Sequence, residues 1–180
     1  AELLQKMEDC PERLIGRVDG WSSPSPVFQT IATVLAAQAL ARLGLVEEAD
    51  ERLVRQLATS VGEVTDVLLR HERCGLFFAR RDMPAAIREA AAAGELRETG
   101  LPAAFEVLTH LDRTWALFNS GSYHDTVVSA REAAALAAQA GDLGEQARAL
   151  MFAAWSLGEL NRHEEAIASA REAAALAAQV

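Results

Sequence analysis

The chain has 180 residues, 51% of them apolar, and carries 17 basic against 26 acidic side chains for a net charge of −9. That length supports a buried core without disulfides or a structural metal, and basic residues scattered among acids argue against a phosphate-tracking, nucleic-acid-binding surface. Alanine, at 37 residues, and a scarcity of aromatics favour helix throughout.

In chain order, residues 1–25 form an N-terminal helical segment and connector. Ala1 to Glu8 reads as the end of a preceding helix, Pro11 to Val18 as a short second helix, and Gly20 to Pro26 as the connector. Four helix pairs are expected after it, at about 26–60, 61–98, 101–140 and 143–180. Ser25-Pro26 offers a cap and a first-turn proline for a helix running to about Leu43, where Gly44 can take the left-handed position. Ser60-Val-Gly-Glu63 reads as a capping box before the helix carrying Leu68 to Phe78. Asp82 and Pro84 start the next helix, and Gly94 and Gly100 mark the loop after it. Pro102 opens a helix ending near Gly121, Ser122 to Asp125 resembles another capping box, Gly141-Asp142 separates the next pair, and the last helix begins near His163. No strand is expected, because the β-branched run Val64 to Leu69 sits within a longer 3.6-residue period.

No apolar run reaches the roughly 20 residues of a membrane helix, and no charged-then-apolar leader opens the chain. Cys10 and Cys74 form no disulfide framework and suggest a reducing compartment, so the expectation is a cytoplasmic protein.

The chain repeats itself. Ser129 to Gln139 recurs letter for letter as Ser169 to Gln179, and upstream Trp115 falls on Trp155 and Leu117 on Leu157 at the same offset. Fainter copies begin at Gly44 and Arg81, aligned with Gly121 and Asn161. The sixth position of each segment is small: Ala49, Ala86, Thr126 and Ala166. Where two helices cross closely a larger side chain would force the backbones apart, so these residues set the crossing distance.

This helix-pair unit, with Glu165-Ala166-Ile167 and its spaced alanines, resembles the tetratricopeptide repeat. The resemblance implies an all-α, right-handed solenoid of antiparallel helix pairs over about 155 residues. It places Ala154, Thr114 and Cys74 at the small position of successive first helices and Ala166, Thr126, Ala86 and Ala49 on the second helices. The chain departs from the pattern in its spacing near 40 and in lacking a terminal proline after the two copied helices. More distantly, the long Ala/Arg/Glu-rich repeats are similar to the arrays of large bacterial regulators of the maltose-regulator and LuxR-like type. With no initiating Met and no cap after Val180, the chain reads as an excised piece whose last apolar helix needs another repeat or a partner to cover it.

Helical spacing puts Leu111, Trp115 and Phe118 on one stripe, repeated by Met151 and Trp155, with Phe78 and His71 continuing it one unit earlier. The resemblance implies that this stripe faces a concave groove, an apolar platform for a peptide or small-molecule effector. The competing reading is that the rings fill the seam between successive helices. His71 and Cys74 lie three apart but lack further zinc ligands, so Cys74 is read as a packed thiol and no metal or cofactor is expected. His124 and His163 are read as surface turn residues. The sequence has no phosphate loop, nucleophile elbow or His-Glu-x-x-His motif, and its carboxylates sit beside arginines, as in Arg131-Glu132 and Arg171-Glu172. The residues therefore read as a non-enzymatic interaction or sensor array, and the more distant resemblance implies that it is the array of a bacterial transcriptional regulator. A structural scaffold or homodimerisation module is the alternative.

Overall fold

A computed structural model of the chain describes residues 11–19, 25–60, 62–96 and 103–180, and among these it contains nine α-helices and no strand. They are α1 (Pro11–Asp19), α2 (Pro26–Arg42), α3 (Val46–Ala58), α4 (Glu63–Ala79), α5 (Met83–Glu95), α6 (Ala103–Asn119), α7 (Tyr123–Ala140), α8 (Leu143–Glu159) and α9 (His163–Ala177). The helices fall into two compact units divided between Arg80 and Arg81. No described helix is long and apolar enough to cross a membrane.

The tight turns repeat one backbone device. Gly44, Arg81, Gly121 and Asn161, the first residues of the four aligned segments, all have positive φ: 79°, 58°, 78° and 58°. In three of these turns the next amide reaches back five residues: Leu45 N to Leu40 O at 2.9 Å, Ser122 N to Leu117 O at 3.0 Å and Arg162 N to Leu157 O at 2.8 Å. These bonds satisfy carbonyls that the ending helix leaves unpaired. Glycine adopts this conformation without strain, and asparagine does so at small cost.

Asp82 caps α5 by accepting from Ala85 N at 3.1 Å, and Asp142 caps α8 by accepting from Glu145 N at 3.0 Å. Two expected capping boxes are not formed. At the first, α4 begins after Gly62, whose φ is 126°, and the Ser60 hydroxyl instead contacts Thr65 Oγ1 at 2.6 Å. At the second, Ser122 is the N-cap of α7 by position, but its side chain accepts no backbone N–H. Gly94 lies within α5 rather than in a loop, because the buried row Ala86, Ala90 and Ala93 carries the helix on to Glu95. The expectations at Ala1 to Glu8, Cys10, Gly20 to Pro24, Gly100 and Pro102 lie outside the described residues.

Unit 1 is built on Ala37 and Leu40 of α2, Ala49 and Leu53 of α3, and Leu69 and Leu76 of α4. Polar ties cross its helices at the rim: Arg52 to Asp19 at 2.7 Å, Arg73 to Asp50 at 2.7 Å and Gln38 to Glu72 at 2.8 Å. The Arg52 hydrogen bond holds the Asp19 carboxyl below the usual carboxylate range.

In unit 2 each helix from α6 to α8 packs against the helix before it and the helix after it, and α6 also touches α8. Val107 and Leu111 of α6, Ala133 and Ala137 of α7, and Ala149 and Leu150 of α8 form one continuous core. Inside it Thr114 donates to the His110 carbonyl at 2.7 Å and meets Ser129 Oγ at 2.9 Å, so these two buried hydroxyls have partners. Alanine dominates the contact surfaces because closely spaced helices leave no room for longer side chains.

Candidate functional site

The stripe read from the sequence divides when placed in the structure. Trp115 of α6 and Trp155 of α8 are 41% and 47% exposed, and both pack edge-on against Phe152, at centroid distances of 5.3 and 5.5 Å. Phe152 is itself buried and lies 5.8 Å from Phe118, which is also 5.8 Å from Trp155 and 5.9 Å from Tyr123. The result is a five-ring cluster with one ring inside and two indoles open to solvent. Edge-on packing sets the positive ring edge against the negative face, which fixes the indoles without burying them.

Met151 lies beside the platform and is 36% exposed, whereas Leu111 is only 3% exposed and belongs to the core with Ala149 and Leu150. Leu111 therefore leaves the surface set. His71 and Phe78 are half-buried on α4 in unit 1, and Cys74 on the same helix is buried. The small residues Ala49, Ala86 and Thr126 are fully buried, as is Thr114, and Ala154 is nearly so, whereas Ala166 is half-buried. His124 and His163 are exposed.

Sequence reading missed Phe152, the ring on which both tryptophans rest. Its signal was present: it lies three residues before Trp155, on the same side of α8 as Ala149 and Ser156. Also missed was an open groove of about 640 Å³ between α8 and α9, whose walls include Met151 and Trp155 from one helix and Ile167, Ala170 and Ala174 from the other. At its edge the Arg148 guanidinium is held by Glu145 at 2.8 Å. Near the start of α9, Arg162 and Arg131 both bond Glu165, and chiefly the Arg162 contact lowers the carboxyl's pKa from its ordinary 4.5.

Such a surface can bind by shape and apolar contact. Among the described residues no group of three or more His, Cys, Asp or Glu side chains is placed to hold a metal ion.

No family model matches the chain, and no curated protein matches it. Solved structures do match. BtubC (BKLC) from P. vanneervenii superposes with a TM-score of 0.77 over 97% of this chain and 73% of its own, at 16% identity. A kinesin light chain structure from Podosopora anserina, described by its nearly identical TPR-like repeats, gives 0.70 over 97% and 87%, also at 16% identity. The fold is a tetratricopeptide-like α-solenoid. MamA of MSR-1 shares it, with a TM-score of 0.64 over 92% of this chain and 86% of its own, at 16% identity. In tetratricopeptide-like terms, α6–α7 and α8–α9 are successive helix pairs, and the aromatic platform bridges their first helices. Identity this low establishes the fold, and the same fold serves many functions.

Proposed function

We propose that this tetratricopeptide-like chain is a non-catalytic protein-interaction module whose aromatic platform in unit 2 docks a segment of another protein. The observation that carries this reading is the pair of half-exposed indoles held on the buried ring of Phe152. A large ring that is already immobilised loses little conformational entropy on binding, and tryptophan is enriched where binding energy concentrates. Phe118 and Met151 extend the platform, and His71 and Phe78 offer a corresponding patch on unit 1.

The finer reading is that the chain is the cytoplasmic sensor array of a bacterial transcriptional regulator, receiving a protein, peptide or small effector and passing on the change in helix packing. The Ala/Arg/Glu-rich, forty-residue repeat supports it.

A peptide array probed with the full chain tests the platform. Trp115→Ala with Trp155→Ala is expected to weaken captured segments at least about tenfold, at unchanged helix content. Undiminished capture by the double variant overturns the reading.

A further inference from the structure

Unit 2 holds the same surface twice, once covered and once bare. On α6–α7, Leu111, Val127, Ala130 and Ala134 are all buried, and α8 packs on both helices. Forty residues on, their copies Met151, Ile167, Ala170 and Ala174 line the open 640 Å³ groove of α8–α9. Val127 is 3% exposed and Ile167 52%. A second difference is electrostatic. Arg131 on α7 reaches Glu165 on α9 at 3.2 Å, whereas its copy Arg171 meets no carboxylate among the described residues.

The covered copy supplies a template for the bare one. What α8 sets against α6–α7 is a short pattern: small Ala149, aromatic Phe152 three residues on, and small Ala153 next, all buried. Glu165 follows Ala153 by twelve residues and pairs with Arg131.

We propose that the α8–α9 groove binds a helix of a partner protein carrying this α8 pattern, with an acidic side chain downstream to meet Arg171. The inference deepens the interaction reading, on which it rests, by naming the partner's chemistry; Met151 and Trp155 border both surfaces, whereas Ile167, Ala170, Arg171 and Ala174 lie outside the ring cluster and separate the two in a test. A second copy of the chain is a poor donor, because its own α8 is already seated on α6–α7.

The probe is a synthetic peptide of residues 143–168, held helical by a hydrocarbon staple joining positions 144 and 148 and titrated calorimetrically into the full chain. Saturable one-to-one binding is expected. Ala174→Glu and Ile167→Asp, both at exposed positions and checked for unchanged melting, are expected to weaken it at least about tenfold, and Arg171→Glu about threefold. No heat up to about 100 µM peptide, or equal affinity in Ala174→Glu and Ile167→Asp, overturns the proposal. Binding lost in Trp115→Ala but kept in Ala174→Glu also overturns it, while leaving the platform reading intact. Binding blocked by Ala174→Glu, with capture in the peptide array indifferent to the tryptophans, supports the groove and removes the platform. Dimerisation of the full chain that Ala174→Glu abolishes replaces the partner helix with a second copy and contradicts the proposal.

Discussion

Ser129 to Ala137 and Ser169 to Ala177 are the same nine residues in the same helical conformation, yet Ala130, Ala134 and Ala137 are buried while Ala170, Ala174 and Ala177 are exposed. Nothing in the segments themselves distinguishes them. The difference is made by α8, which lies over the first copy and has no counterpart over the second among the described residues. Burial in a stacked fold is thus a property of the neighbour as much as of the residue. The comparison supplies its own control, because an identical substitution can be made in both copies.

The largest contrast is expected from charge. Ala130→Glu places a carboxylate under α8 and is expected to cost on the order of 3 kcal/mol or more in urea unfolding, whereas Ala170→Glu should stay within about 0.5 kcal/mol. Equal losses would mean that the two surfaces are equally covered. Next in size is Phe152→Ala, which removes the ring beneath both tryptophans. It is expected to cost about 3–5 kcal/mol and to red-shift tryptophan emission. An unchanged spectrum would show that the rings do not depend on one another.

The hydroxyl pair sharpens the comparison further. Ser129→Ala leaves Thr114 without one of its buried contacts and is expected to cost about 1–2 kcal/mol, while Ser169→Ala, opposite Ala154 rather than a threonine, should be near neutral. Thermal melts of the two variants decide it. The smallest effect concerns pH. Because the folded pKa of Glu165 is depressed, its contribution is present above the unfolded value near 4.5 and is lost as pH falls through the folded value. Glu165→Gln should therefore flatten the stability slope on the acid side of pH 4.5 and leave neutral stability nearly unchanged, since the group is at the surface.

Much of the fold was legible in the residues. The forty-residue echo fixed the phase of the repeat, and the aligned starts Gly44, Arg81, Gly121 and Asn161 proved to be the left-handed turn positions, although only two of them are glycine. Local signals were less dependable. Ser60 has the side chain for a capping box but bonds to Thr65, and Gly94 stays helical because burial of the alanine row outweighs its low propensity. The site was legible in part. Helical spacing found the exposed tryptophans, but the same spacing could not separate Leu111 from its copy Met151, since only the presence of α8 over one of them buries it.

One measurement bears on the covered-versus-bare distinction most directly. Single cysteines are placed at Ala134 and at Ala174 in a Cys10→Ser background, and their labelling by a thiol reagent is timed in the native protein. Local sequence is identical at the two sites and Cys74 is buried, so the ratio of rates reports what lies above each residue. Labelling at 134 slower by on the order of 100-fold is the expected result. Equal rates would contradict the account.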